Sequence, residues 1–169
     1  QEGRADMIVM GRPLLADPDL PNKVRDGRLT EIRRCISCQN CIDSMFMWPL
    51  DARMNCAVNA ATGRELSHRY ERAAQAKHIV SVGGGPAGME AARICAERGH
   101  RVTLLERNRQ LGGALRLAST VHSDNERFLV YLLHEMQRLP ITLRFGCEAS
   151  DELIASLMPD EVVIATGAV

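Results

Sequence analysis

Four cysteines, separated by two short spacers and one long spacer, constrain this chain more than any other feature of its sequence. Two residues separate Cys35 from Cys38 and Cys38 from Cys41, and fourteen residues separate Cys41 from Cys56. Short spacers bring successive thiolates close enough to hold one inorganic cluster, and a fourth ligand from a remote loop completes the set. The spacing therefore predicts that these four thiolates ligate a [4Fe–4S] cluster. Structural zinc, more usually bound by two separated pairs, is the first alternative, and unrelated free thiols are the second.

The composition excludes several classes of protein. Hydrophobic residues make up 46% of the 169 positions, and the 21 basic side chains equal the 21 acidic ones. This balance argues against nucleic acid or a membrane surface as the main partner. The sequence has no apolar run of about 18 residues that could span a bilayer and no secretory signal pattern. Clustered cysteines near a nucleotide motif indicate a reducing compartment, so we expect a cytoplasmic protein.

The pattern of apolar residues predicts an α/β chain with three zones, at 1–34, 35–76 and 77–169. The first zone contains an apolar strand at 6–10 and a short helix at 20–25, and the second is the cysteine segment with a polar connector. The third zone alternates strands with helices, which implies a Rossmann-like, mostly parallel sheet. We predict strands at 79–82, 102–105, 141–145 and 161–165, and helices at 87–98, 123–139 and 151–157. Ser123 with Glu126 is typical of a capping box that begins the longest helix.

A glycine-rich motif in the third zone predicts a nucleotide site. Gly83, Gly85 and Gly88 form G-x-G-x-x-G directly after a predicted strand and at the start of a helix. In that context the glycines allow a tight turn, close approach of a pyrophosphate and close helix–strand packing. Glu106 ends the next strand, where its carboxylate can accept hydrogens from both hydroxyls of an adenosine ribose. A purely structural glycine turn with a solvated Glu106 is the alternative.

Two further glycine motifs extend this pattern. Leu111-Gly112-Gly113 follows Glu106, and Ala165-Thr166-Gly167 ends the last predicted strand. Together with the first motif they resemble the flavoproteins that have two dinucleotide-binding domains. The resemblance implies that this domain binds the ADP part of FAD, or ADP itself. Its candidate contacts are Pro86, Ala87, Gly113, Thr166 and Gly167, beside the residues of the first motif.

The order of motifs along the whole chain resembles a larger family. The segment 11–18, the cysteines, the segment 59–63 and the glycine motif occur in the order found in iron–sulfur flavoproteins related to Old Yellow Enzyme, such as trimethylamine dehydrogenase and 2,4-dienoyl-CoA reductase. In that family an FMN-binding (β/α)₈ barrel precedes the [4Fe–4S] segment, and FAD- or ADP-binding and NAD(P)H-binding domains follow it. The resemblance implies that strand 6–10 is the last barrel strand. Gly11 and Arg12 would then contact the FMN phosphate, whereas the alternative for Arg12 is a surface ion pair.

The resemblance implies the electron-transfer part of an oxidoreductase whose parent protein acts on a small organic substrate at FMN. The spacer between Cys38 and Cys41 looks like that of the amine dehydrogenases, although the segment before Cys56 is longer than in either subfamily. An NAD(P)H-dependent enoate or dienoyl-CoA reductase is one alternative, and a non-enzymatic nucleotide-binding module with structural zinc is another. The chain begins at Gln1 without a methionine. We expect it to be a piece of a longer polypeptide that has no complete catalytic cycle alone, and whose strand 6–10 favours self-association into a homo-oligomer.

Overall fold

The computed structural model describes residues 3–46 and 54–167, and its contacts divide the chain into two compact units. The first unit comprises residues 1–68 and the second comprises residues 69–169. The finer division at residues 34 and 76 stays a prediction. Within the described ranges no helix is both long enough and apolar enough to cross a membrane.

The first unit is built from short helices joined by irregular loops. Its elements are α1 (Arg12–Ala16), α2 (Leu20–Arg25), a 3₁₀ turn (Leu29–Glu31) and α3 (Asn40–Phe46). The predicted helix at 20–25 is confirmed as α2. Helices α1 and α3 were not predicted from the sequence, because five and seven residues are too few to show a helical period.

The apolar segment at 6–10 does not form the predicted strand. No regular element is assigned there, and the side chains of Met7, Ile8 and Val9 are 87%, 79% and 98% exposed. A strand is stabilised by the ladder it forms with its neighbours, and none of the strands in the described ranges pairs with this segment. The segment is therefore not paired with any strand of the described ranges, and its assignment as a barrel strand stays a prediction.

The second unit contains a four-stranded parallel sheet. Its strands are β1 (His78–Val82), β2 (Arg101–Glu106), β3 (Ile141–Phe145) and β4 (Glu161–Ile164), in the order β3-β2-β1-β4. Both neighbours of β1 run parallel to it, with Val80 opposite Thr103 in β2 and Val162 in β4. The predicted α/β fold with a Rossmann-like sheet is confirmed, and each predicted strand of this zone forms.

Helices cover both faces of this sheet. They are α4 (Pro86–Glu97), α5 (Ala114–Val121), α6 (Ser123–Arg138) and α7 (Asp151–Ser156). Ser81 donates a hydrogen bond to the carbonyl of Gly88 in α4, whereas Val80 and Val82 pack in a cluster with Leu153 and neighbouring residues of α7. Because successive strand residues point to opposite faces, α4 and α7 lie on opposite sides of the sheet.

The start of α6 differs from the sequence prediction. Ser123 is the first helical residue rather than the cap, and His122 occupies the cap position without a side-chain hydrogen bond. The predicted capping box is therefore wrong. Helix α5 was not predicted. It ends at Val121, so a single residue, His122, separates it from α6 and occupies the position that was predicted for a serine cap. A side-chain cap does form at α7, where the Ser150 hydroxyl accepts from the Leu153 amide at 3.2 Å.

Candidate functional site

A cavity of about 850 Å³ opens at the carboxyl ends of the parallel strands in the second unit. Segments that follow all four strands line it, as expected for the ligand crevice of an open parallel sheet. Eight of the predicted cofactor contacts lie in its wall: Gly83, Gly85, Pro86, Ala87, Glu106, Gly113, Thr166 and Gly167. Gly88, the remaining residue of the first motif, has a packing position instead.

The three motif glycines have different physical roles. Gly83 has φ +105°, and a Cβ there would lie 2.3 Å from the Ala165 carbonyl oxygen. A Cβ on Gly88 would lie 1.9 Å from the Gly83 carbonyl oxygen, so this position requires glycine for the approach of helix to strand. A Cβ on Gly85 would meet nothing within 4 Å, because this glycine faces the open cavity.

The first turn of α4 presents its amino end to this cavity. Gly85 is the cap residue, Pro86 is the first helical residue, and no side chain caps the helix. Backbone N–H groups at such an end carry partial positive charge and bind anions. Since Gly85, Pro86 and Ala87 line the cavity, this end can hold a phosphate or pyrophosphate group.

The carboxylate of Glu106 faces the glycine-rich loop. The Gly84 amide donates to Oε2 at 2.7 Å, while the amide and the side-chain nitrogen of Asn108 donate to Oε1 at 2.7 and 2.8 Å. Glu106 is only 5% exposed, yet it lines the cavity. An ionised carboxylate in this position offers acceptor oxygens to hydroxyl groups of a ligand.

Several cavity residues were not identified from the sequence. Arg107, Asn108 and Arg109 come directly after β2, and Cys147 and Glu148 come directly after β3. Cys147 also packs against the sheet core and donates to the Arg144 carbonyl at 3.3 Å. Their position just after predicted parallel strands was the signal that could have found them, because such strand ends meet at one edge of the sheet.

The first unit brings the segment around Cys56 next to the other three cysteines. Asn40, directly before Cys41, hydrogen-bonds through its side chain to Asn55, directly before Cys56. Ser44 of α3 accepts from the Asn55 amide at 3.1 Å. The residues that directly precede the third and the fourth cysteine are therefore in contact.

A second set of contacts holds the chain on the other side of Cys56. The Arg33 guanidinium, two residues before Cys35, donates to the Val58 carbonyl at 2.9 Å and to the Asn59 side-chain oxygen at 3.2 Å. Asn59 in turn donates to the Leu15 carbonyl of α1 at 2.8 Å. These bonds connect the segments that carry the first and the fourth cysteine.

The backbone of the cysteine segment contains two residues in the left-handed region. Ser37 and Gln39 have φ of +56° and +60°, values that residues other than glycine rarely adopt, and the Ser37 amide lies 3.4 Å from the Cys35 sulfur as a donor. Burial raises the pKa of the Cys56 thiol, and the nearby thiols of Cys38 and Cys35 raise it further. All of these cysteines are free thiols.

The four thiols have the donor chemistry of a [4Fe–4S] ligand set, which is built from cysteine thiolates. In the described ranges, no three His, Cys, Asp or Glu side chains are grouped so that they could hold a metal ion. Ligation of a cluster by Cys35, Cys38, Cys41 and Cys56 therefore stays a prediction.

Gly11 and Arg12 lie in a smaller cavity of the first unit. This cavity has a volume of about 280 Å³ and a mostly apolar wall, and it is lined by Gly11, Arg12, Leu15, Cys41, Ile42, Met45 and Met54. Among the described residues, no acidic side chain forms the surface ion pair with Arg12 that was the alternative prediction. The contact with an FMN phosphate stays a prediction.

One comparison with known protein families concerns the second unit. The family profile described as "NAD(P)-binding Rossmann-like domain" matches residues 82–134, which include the glycine motif and Glu106. The match supports nucleotide binding by the second unit.

The chain is similar to segments of larger oxidoreductases. It is 44% identical to the NADH oxidase of Thermoanaerobacter brockii, over 98% of this chain and 26% of that protein. It is 40% identical to the N,N-dimethylglycine/sarcosine dehydrogenase of Chromohalobacter salexigens, over 98% of this chain and 24% of that protein. The chain thus spans about a quarter of the length of the curated relatives it matches.

A solved structure shows the same fold along nearly the whole chain. The 2-naphthoyl-CoA reductase complex with 2-naphthoyl-CoA superposes with a TM-score of 0.89 at 39% identity, covering 98% of this chain and 26% of that one. At this identity the likeness reflects common descent as well as a shared fold.

Proposed function

Because this chain belongs to the family of flavoprotein oxidoreductases related to Old Yellow Enzyme and trimethylamine dehydrogenase, we propose that it is the electron-transfer portion of such an enzyme. In this proposal the first unit holds a [4Fe–4S] cluster, and the second unit binds the ADP part of FAD, or ADP itself. A [4Fe–4S] cluster, when bound, supplies one-electron transfer. The chain's residues set the position of each cofactor and its exposure to water.

The observation that carries the proposal is the pair of contacts on either side of Cys56. Asn55 is bonded to Asn40 and Ser44, while Val58 is bonded to Arg33. A segment remote in sequence is therefore held against the cysteine loop by bonds independent of any metal. This supports Cys35, Cys38, Cys41 and Cys56 as a single ligand set rather than as unrelated thiols.

The second unit supports binding of a nucleoside diphosphate. The uncapped amino end of α4 faces one part of the cavity, and the Glu106 carboxylate faces another. The first favours a pyrophosphate and the second favours ribose hydroxyls, so the two features fit the two ends of an ADP group. The Gly85 position, open to the cavity, leaves room for the phosphates to approach the backbone.

Metal and sulfide analysis tests the cluster. Protein purified without oxygen should contain about four iron atoms and four acid-labile sulfides per chain, as this cluster type requires. Stoichiometric zinc without sulfide would overturn the cluster and favour the nucleotide-binding module with structural zinc. Calorimetric titration with ADP, FAD and NADH tests the second unit, where we expect ADP and FAD to bind more tightly than NADH.

The substrate of the whole enzyme is proposed from the cysteine spacing and the relatives. The spacer between Cys38 and Cys41 favours an amine dehydrogenase acting on a small amine, and the similarity to N,N-dimethylglycine/sarcosine dehydrogenase supports it. The similarity to 2-naphthoyl-CoA reductase favours the alternative, an NAD(P)H-dependent reductase of conjugated acyl thioesters or enoates. Assays of the full-length parent with FMN should show oxidation of secondary or tertiary amines. Reduction of enoates without amine oxidation would select the alternative.

We also propose a cytoplasmic location. Four closely spaced free thiols persist where the compartment is reducing. Fractionation of cells that express the parent protein tests this location, and recovery of the protein outside the cytoplasm would contradict it.

A further inference from the structure

Asn108 holds the Glu106 carboxylate from the cavity side. It lies two residues after Glu106, and its side-chain nitrogen donates to Oε1 at 2.8 Å. Its backbone amide donates to the same oxygen at 2.7 Å, while the Gly84 amide donates to Oε2 at 2.7 Å. Each carboxylate oxygen is thus held by a donor from a different loop.

These bonds restrict a side chain that is otherwise loosely oriented. The last torsion of a glutamate has a broad, two-fold preference, so packing alone does not orient its oxygens. The Gly84 amide holds Oε2 at the glycine loop, and the backbone amide and side chain of Asn108 both hold Oε1. A carboxylate with three donors has about one acceptor site left, on Oε2.

We propose that Asn108 is a positioning residue that orients Glu106 so that Oε2 accepts a hydroxyl of the ligand ribose. The inference rests on the proposed binding of ADP or FAD by the second unit. In this arrangement the Asn108 amide occupies Oε1 and keeps the carboxylate plane fixed. Glu106 then distinguishes a ribose with free hydroxyls from a sugar without them.

The side chain of Asn108 can be removed by mutation without loss of the hydrogen bonds of its backbone. Its carbonyl accepts from the Gly146 amide at 3.1 Å, and its own amide bonds to Glu106. Both bonds involve backbone atoms, so Asn108→Ala retains them and removes only the side-chain donor. Asn108 is an exposed residue, so the substitution leaves no cavity in the core.

The test compares two ligands in two proteins. ADP and 2′,3′-dideoxy-ADP are titrated by calorimetry into the wild-type chain and into Asn108→Ala. We expect the variant to bind ADP about three- to tenfold more weakly, because one hydrogen bond that orients the Glu106 carboxylate is lost. The affinity for the dideoxy ligand should be unchanged. The preference for ribose hydroxyls then falls by the same factor.

Each other result overturns the inference. Equal weakening for both ligands would indicate a general structural effect, and tighter ADP binding would show that the Asn108 amide competes with ribose for Oε1. Unchanged affinity for both ligands would show that the two backbone amides orient Glu106 alone. If the wild-type chain binds neither ligand, the proposed function fails together with this inference.

A matched control tests the same chemical change outside the cavity. Asn125 donates through its side chain to the Ala118 carbonyl at 3.3 Å and does not line the cavity. Asn125→Ala also removes one asparagine donor from the second unit. We expect it to leave the ratio of the two affinities unchanged, whereas a change in that ratio equal to the one in Asn108→Ala would overturn the assignment.

Discussion

The two units of this chain hold their sites by different physical means. In the second unit the site lies at the end of a sheet whose core contains fully buried apolar side chains, among them Val80, Met89 and Leu104. In the described ranges of the first unit the buried apolar residues are only Ala16, Ile32, Cys41 and Val58, and three buried polar residues, Asp17, Asn59 and Thr62, accompany them. The nucleotide site is therefore supported mainly by hydrophobic burial, whereas the cysteine site is supported mainly by polar bonds and, in our proposal, by its cluster.

Polar bonds in the first unit form a connected network. Asp17 is 4% exposed and accepts from the Lys23 ammonium at 2.8 Å and from the Arg33 amide at 2.8 Å. Asn59 and Thr62 both donate to the Leu15 carbonyl, at 2.8 and 2.9 Å. Such a network orients loops well but contributes less stability than an apolar core. Each of its hydrogen bonds takes the place of a hydrogen bond that the same group makes to water in the unfolded chain.

Removal of the cluster should produce the largest difference between the units. In Cys56→Ser, or after chelation of the iron of the proposed cluster, we expect amides of residues 12–46 and 54–62 to lose most of their protection from hydrogen exchange, because metal binding and folding of a small site are coupled. Amides of β1 and β2 should stay protected, and ADP should still bind. Hydrogen exchange monitored by mass spectrometry measures both units in one sample.

The control for this prediction is Cys95→Ser, which removes a half-buried thiol of α4. It should leave the iron content and the protection of the first unit unchanged. Retention of full protection in the first unit of Cys56→Ser would show that its polar network is sufficient without the cluster.

A buried charge makes the second unit sensitive to mutation and to acid. Glu135 of α6 is 2% exposed and pairs with Arg138, and Arg93 of α4 adds its charge. Burial alone would raise the pKa of Glu135, but the hydrogen bond from Arg138 and the charges of Arg138 and Arg93 lower it below the usual 4.5. Glu135→Ala should lower the free energy of unfolding by about 2–3 kcal/mol, because it removes the charged hydrogen bonds that Arg138 donates to this buried carboxylate.

The direction of the pH dependence follows from the lowered pKa. The stability that Glu135 contributes is present above the pKa of an unfolded glutamate, and it is lost as the pH falls through the lower folded pKa. Urea melts of the second unit at decreasing pH should therefore show a smaller loss of stability in Glu135→Ala than in wild type. The surface pair of Arg127 with Asp124 is the control, since Arg127→Ala should cost under about 1 kcal/mol.

Two glycines of the first motif have different roles, since Gly88 in α4 serves packing and Gly85 before α4 faces the cavity. In Gly88→Ala the new Cβ would lie 1.9 Å from the Gly83 carbonyl oxygen, so we expect a loss of about 3 kcal/mol in stability from overpacking. In Gly85→Ala the new Cβ meets no protein atom within 4 Å but projects into the cavity. This variant should keep its melting temperature and bind ADP about tenfold more weakly, a change equivalent to ~1.4 kcal/mol.

The assignment of roles fails if the two variants behave alike. Thermal melting and calorimetric titration of both proteins give the comparison. A stable Gly88→Ala protein would show that the helix can move away from the strand without loss.

The smallest effect is expected from the loss of a single side chain of the polar network. Asn59→Ala removes the bonds to Leu15 and Arg33 and should lower the stability of the first unit by about 1–3 kcal/mol, since buried partners are left unsatisfied. The iron-loaded protein should show this as faster loss of iron to a chelator. A rate equal to that of wild type would indicate that the bonds around Asn55 alone hold the fourth cysteine.

The sequence predicted the second unit well because its signals are local. Every strand from β1 to β4 has an apolar run between turn residues, and the glycine motif lies at a strand–helix junction that its spacing predicts. The exceptions are α5 and the start of α6. The pattern of Ser123 and Glu126 is typical of a capping box, but α5 ends at Val121 and His122 is the cap residue. Ser123 is therefore the first residue of α6.

The amino-acid sequence alone predicts a cysteine-ligated cluster and a nucleotide site, whereas the contacts around both sets of residues become visible only in the folded chain. The cysteine spacing, the three glycines and Glu106 are recognisable because backbone geometry limits which residues can serve at those positions. The contacts of Asn40 with Asn55, of Arg33 with Val58 and of Asn108 with Glu106 have no such signature. Polar side chains find these partners only after the chain has folded, because many alternative pairings satisfy the same residues.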